Sequence, residues 1–390
     1  MSGGGKTWRG GEMKIPITRP YFDEAEKTAM IKPLESGWVV QGPNVAEFER
    51  LFAEYTGAAH ALATSSCTTA LHLALATLEV QPGDEVIVPA FTFVATANVV
   101  EYQGARPVFV DIELRTFNTT AEQIEARIAD RTKAIIPVSL FGLSVDMNPI
   151  MRLAKRQGLF VVEDAACAVG ARYNGRHAGT LAHLAAFSFH PRKVITTAEG
   201  GMVITQDASW AADIGARRSH GGTVSDLERH KKGAFALPEH DVLGYNYRMT
   251  DLQGALGVAQ MKKLNWIVER RRTLAHRYDE ALRELEGVQT PHVPASNTHT
   301  YQSYVLLISK DARLSRDILA QELLARGISV RQGTHAVHLQ GYYRHKYDLR
   351  PEDFPNSLYA DRHSLTLPLF PTMTDDEQGF VIEQVCALMR

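Results

Sequence analysis

The sequence predicts an α/β protein in which a large domain on a mostly parallel, seven-stranded sheet is followed by a smaller α+β domain. Three observations predict it. Between Ala58 and Thr205, short apolar runs recur seven times, separated by turns and longer amphipathic segments. Those runs are nearly continuous rather than alternating, as strands covered on both faces require. Past Thr250 the rhythm changes to a long charged helical stretch, and 390 residues exceed the usual size of one domain.

The elements follow in order. Residues 1–14, MSGGGKTWRGGEMK, are Gly-rich without a continuous apolar segment and read as a flexible tail. The large domain is expected over 15–255. Its strands are the runs HALAT, DEVIVPA, RPVFVD, KAIIPVSL, LFVVED, LAAFSF and GMVIT. ATSSC leads directly into a helix over Thr68–Glu79 that Pro82, Gly83 and Asp84 terminate, and small residues at its start leave unpaired N–H groups open to a ligand. The small domain is expected over 256–390. It opens with a helical stretch from Asp251 to about Leu285, whose apolar residues recur at three and four. YQSYVLLIS and RHSLTLPLF are strand candidates, and DILAQELLARG is a helix stopped by Gly327.

Composition removes several classes of function. A formal net charge of -2 gives no electrostatic footprint for nucleic acid or an anionic membrane. No run of about 18 apolar residues is long enough to span a bilayer. Three cysteines, an odd number without CxxC spacing, fit a reducing cytoplasm better than a disulfide framework or a metal site. G-x-G-x-x-G after the first strand and GxxxxGK[ST] are both missing, so neither a dinucleotide fold nor a P-loop is expected.

Three strand ends carry chemistry. LFVVED puts Glu163 and Asp164 at the end of a buried strand, where parallel α/β sheets place their ligands, although an acid there also serves as a helix cap. Ser65, Ser66, Cys67 and Thr68 form a strand-to-helix junction able to cradle a phosphate. FSFHPRK sets Ser188 and Lys193 beyond a third strand. An amine, a carboxylate and a phosphate nest are what pyridoxal 5'-phosphate asks for: a lysine to hold it, an acid to keep its ring nitrogen protonated, and donors for its phosphate.

At this point SGWVVQGPNVAEFER, ATSSCTTALHLALATLEVQPGDEVIVPAFTFVATANVV, VEDAACAVGARYNGRHAGT, FSFHPRKVITTAEGGMVIT and LGYNYRMTDLQGALGVAQMKKL together resemble the DegT/DnrJ/EryC1/StrS family of pyridoxal-phosphate-dependent sugar aminotransferases, over nearly the full length. The resemblance implies the aspartate-aminotransferase type of fold (fold type I) and a homodimer with active sites shared across the interface. It also implies transfer of an amino group from glutamate or glutamine to a nucleotide-linked keto sugar. By the same resemblance Lys193 is the Schiff-base lysine and Asp164 the partner of the pyridine nitrogen. Phe93 is the residue that stacks on the ring, Cys67, Thr68 and Ser188 hold the phosphate, and Asn246 is contributed by the other subunit.

Two positions depart from the family pattern. Cys67 stands where many relatives have glycine, so its side chain must fit without a positive φ. Cys167 stands where many have Gln or His beside the cofactor's phenolic oxygen. His220, in RSHG, resembles a segment near the cofactor entrance. His335 and His338 resemble a loop walling the sugar-nucleotide site, with structural packing as the competing reading and no metal expected. Relatives that replace the lysine with histidine are dehydratases; Lys193 is retained here, which favours transamination. Cyclitol transamination and a non-catalytic pyridoxal-phosphate-binding regulator are the remaining alternatives.

Overall fold

The computed structural model describes residues 14–222 and 239–390; the tail expected over 1–14 therefore lies almost wholly outside the described residues. Strands run in chain order as β1 (His60–Thr64), β2 (Glu85–Pro89), the two-residue β3 (Phe91–Thr92), β4 (Arg106–Val110), β5 (Thr132–Ile135), β6 (Phe160–Asp164), the hairpin of β7 (Arg172–Tyr173) and β8 (Arg176–His177), β9 (Leu184–Ser188) and β10 (Gly201–Thr205). Seven of them form one sheet in the order β1-β10-β9-β6-β5-β2-β4. Each of these seven overlaps one of the seven apolar runs. From β9 to β4 the pairing is parallel, while β10 is antiparallel to both its neighbours, so a single strand is reversed.

Helices fill the crossovers that parallel pairing needs. The helix Cys67–Thr77 is buried from Ala70 through Thr77, which is why its sequence is apolar on all sides rather than on one stripe. Its start is fixed by Ser66, whose hydroxyl accepts the N–H of Thr69 at 3.1 Å.

The remaining strands are β11 (Val288–Gln289), β12 (Asn297–Thr298), β13 (Tyr304–Ile308), β14 (His335–Ala336) and β15 (Ser364–Leu367). The antiparallel sheet β11-β13-β15 is the small domain's own, with a core that includes Leu274, Tyr278, Leu319, Leu365 and Val381. The expected helix over 251–285 is two helices, Asp251–Met261 and Leu264–Leu282. At the break, Gln260 and Lys263 both reach the carboxylate of Glu26 in the first helix, Glu24–Ser36.

The division of the chain is less linear than its sequence suggests. Ile15 bridges Ile328 and packs in the small-domain core. Conversely, β14 pairs with β3, and Val337, Tyr343 and Phe354 join the core of the large sheet. Both chain segments cross the expected boundary because the strands they pair with lie on the other side. Among the described residues no helix is long and apolar enough to cross a membrane, and no group of three or more His, Cys, Asp or Glu is placed to hold a metal.

Candidate active site

The floor of the site is set by register. Thr64 pairs with Gly201, and Gly201 pairs with Ser188, so the ends of β1, β10 and β9 lie side by side. The turn after β1 and Ser188 are thus two interstrand steps apart, roughly 10 Å. Gly201 is required between them: a Cβ there would lie 2.4 Å from the carbonyl carbon of Ser66. Above this floor the helix Cys67–Thr77 begins. Its cap accounts for the N–H of Thr69, and Ser65 N–H donates to Tyr247 O at 2.8 Å. The N–H groups of Cys67 and Thr68 find no acceptor among the described residues, nor does the Thr68 hydroxyl find a partner. Two free N–H groups and a hydroxyl at a helix N-terminus are the donor set an anionic phosphate needs. Cys67 meets the condition its side chain raised, for it is the first helical residue and is not among those with positive φ.

Alternation along β6 separates the two acids. Glu163 is fully buried and accepts Ser139 Oγ at 2.5 Å and the N–H of Gly179 at 2.7 Å; burial raises its pKa to about 7. It braces the loop after β5 and the turn before β9. Asp164 is 5% exposed and accepts Thr96 Oγ1 at 2.7 Å and the N–H of Ala166 at 3.1 Å. Burial raises its pKa, against the lowering pull of those two donors and of Lys193.

Lys193 reaches the same place from the loop after β9. Its Nζ donates to Cys167 Sγ at 3.2 Å. Burial disfavours its charge, but Cys167, Cys67 and Asp164 together outweigh that and raise its pKa. The amine, the two thiols and the Asp164 carboxylate are therefore one electrostatic group at the C-terminal ends of the parallel strands, where such sheets bind their ligands.

The other expected residues are placed unequally. Phe93 follows β3, is 59% exposed, and has its ring 6.1 Å from that of His335, which is exposed on the paired strand β14. His338 lies only three residues on, yet it is 0% exposed, packs on the ring of Phe354 and contacts Pro351 O at 3.3 Å. These surroundings are those of the packing reading for His338. His220 is exposed with φ of 62°, its N–H bound to Tyr245 O. Asn246 is exposed and bridges Ser219 through its backbone, and its side chain makes no hydrogen bond among the described residues.

Three supporting residues escaped the sequence reading. Thr96 locks Asp164, Thr92 braces Thr96 at 3.0 Å, and Gly201 lets the turn at Ser66 and Cys67 sit on the sheet. Only the Gly-Gly before GMVIT offered a local signal; two threonines in an apolar stretch offer none.

Comparison with known proteins agrees with this geometry. Residues 20–386 match the DegT/DnrJ/EryC1/StrS aminotransferase family. The chain is 38% identical to the spore coat polysaccharide biosynthesis protein SpsC of Bacillus subtilis over 374 residues, 95% of this chain and 96% of that one. It is also 38% identical to GDP-perosamine synthase of Caulobacter vibrioides over 371 residues, again 95% and 96%. The solved structure of the putative sugar aminotransferase Spr1654 of Streptococcus pneumoniae in its PMP form superposes with a TM-score of 0.90 at 29% identity, covering 96% of this chain and 99% of that one. A lysine, a buried carboxylate and a nest of unpaired donors fit the cofactor of such enzymes. The chain belongs to the DegT/DnrJ/EryC1/StrS aminotransferase family, and pyridoxal 5'-phosphate is its cofactor.

Proposed function

We propose that this enzyme moves an amino group from L-glutamate or L-glutamine to a nucleotide-linked keto-deoxy sugar. The observation that carries the reading is the convergence of Lys193 and Asp164 at one end of the sheet beside free N–H groups at Cys67 and Thr68. The names of the relatives, a GDP-perosamine synthase and a polysaccharide biosynthesis protein, support the nucleotide sugar. Bound pyridoxal phosphate supplies an electron sink for the carbanion. Asp164 holds the ring nitrogen protonated by opposing its charge. Lys193 would anchor the cofactor covalently and would carry the proton to and from the reacting carbon. Thr68, Ser188 and the Cys67 N–H would hold the phosphate, Phe93 and Cys167 would contact the cofactor, and His220 and His335 would border the substrate.

The test has two stages. Adding glutamate or glutamine to the loaded enzyme should convert bound pyridoxal phosphate to pyridoxamine phosphate, read by absorbance. Adding a nucleotide-linked keto sugar should then return the first spectrum and yield an amino sugar by mass spectrometry. No spectral change with either donor would support a non-catalytic binder; turnover of an inosose but no sugar nucleotide would support the cyclitol alternative; loss of water from the sugar without amination would support a dehydratase.

The same reading makes the enzyme a homodimer with shared sites. The side chain of Asn246 makes no hydrogen bond among the described residues, and Leu243, three residues earlier, is 77% exposed. A partner surface would cover the one and employ the other. Mixing two inactive variants, Lys193→Ala and Asn246→Asp, should restore about a quarter of wild-type activity after random subunit exchange, since about half the chains then sit in heterodimers with one intact site of two. No recovery in heterodimers verified by mass would reject the cross-subunit role of Asn246.

A further inference from the structure

The one hydrogen-bond partner of the Lys193 side chain among the described residues is a thiol. Nζ lies 3.2 Å from Cys167 Sγ, within the separation at which bound groups react without further rearrangement. All three cysteines are free, and Cys167 is only partly buried, so a small oxidant reaches it. Cys67 is close enough to feel the charges of Cys167 and Lys193.

We propose that Cys167 and Lys193 form an oxidative modification site, in which hydrogen peroxide joins Sγ to Nζ as a sulfenamide. In the first step sulfur attacks the peroxide, the O–O bond breaks, and Cys167 is oxidised by two electrons to a sulfenic acid while water leaves. In the second, the ammonium of Lys193, which its surroundings favour, first gives up a proton to solvent, and the free amine attacks that sulfur. The S–N bond forms, the S–O bond breaks, and the hydroxyl departs with an amine proton as a second water. Hydrogen peroxide is thereby reduced to two waters, and each side chain loses one hydrogen. An external thiol reverses the link by attacking sulfur and releasing the amine. The crosslink needs these two residues only; its consequence, a lysine unable to take up cofactor, rests on Lys193 being the anchor. Cofactor bound at Lys193 in turn withholds the amine, so the site is open to oxidation when the cofactor is absent or detached from the lysine.

The test treats the full chain with hydrogen peroxide, loaded with pyridoxal phosphate in one arm and stripped of it in the other. Free thiols are then alkylated without reductant and the peptides mapped. In the stripped arm the peptides bearing Cys167 and Lys193 should be recovered joined, at their summed mass less two hydrogens, and should separate with dithiothreitol. In the loaded arm the joined species should fall in proportion to cofactor occupancy. Cys167→Ser should lose the crosslink and Cys67→Ser should keep it. Cys386, on the C-terminal helix Asp375–Met389, has no lysine partner among the described residues and serves as the internal control for oxidation alone. Recovery of Cys167 in the stripped wild type as a free thiol, a sulfinic acid or a disulfide with Cys67, with Lys193 unmodified, would overturn the proposal. A crosslink that formed equally in both arms would leave the modification site standing and remove Lys193 as the cofactor anchor.

Discussion

Lys193→Ala is expected to abolish transamination and the lysine-bound form of the cofactor while leaving the fold nearly intact. The amine has two tasks, covalent anchoring and proton transfer at the reacting carbon, and methyl replaces neither. Loss of a positioned proton-transfer group alone costs up to about 10⁴-fold, so the decrease should be at least of that order. Stability should change little, because among the described residues the side chain's one hydrogen bond is to a thiol and no carboxylate forms an ion pair with it. Reducing the loaded wild type with borohydride and mapping its peptides checks the assignment directly. The pyridoxyl adduct belongs on Lys193; finding it on another lysine would reassign the site.

Asp164→Asn is expected to slow amino transfer from the donor by at least about 100-fold, equivalent to roughly 3 kcal/mol of lost charge stabilisation. The variant isolates charge because its geometry is recoverable. An asparagine oxygen retains the bond from Ala166 N–H, and its amide then faces Thr96. The Thr96 hydroxyl rotates to accept that amide and donates onward to Thr92, 3.0 Å away. What disappears is the negative charge that keeps the ring nitrogen protonated. Single-turnover conversion of the cofactor with glutamate, followed by stopped flow, measures the step; a rate within tenfold of wild type would argue against Asp164 as the ring's partner.

These two residues were legible in the sequence because their chemistry is local. A lysine beyond FSFHP and an acid closing LFVVED stand at the ends of apolar runs, and runs of that kind become strands wherever both faces are covered. The seven strands, the helix after ATSSC, and the helix stopped before Gly327 follow from the same burial and capping rules. The lack of a long apolar run in the sequence likewise corresponds to the described residues, among which no helix is long and apolar enough to cross a membrane.

What the tertiary structure decided is partnership. Periodicity records which residues are buried, and it is silent about what they are buried against. The reversal of β10, the support of Asp164 by a threonine 68 positions earlier, and the need for Gly201 under the Ser66 carbonyl arise only when distant segments meet in register. His335 and His338 make the point most directly. Three residues apart in one loop, they were indistinguishable by type and neighbours. Pairing of β14 with β3 leaves the first exposed beside Phe93, and the short helical turn that follows drives the second into the core against Phe354.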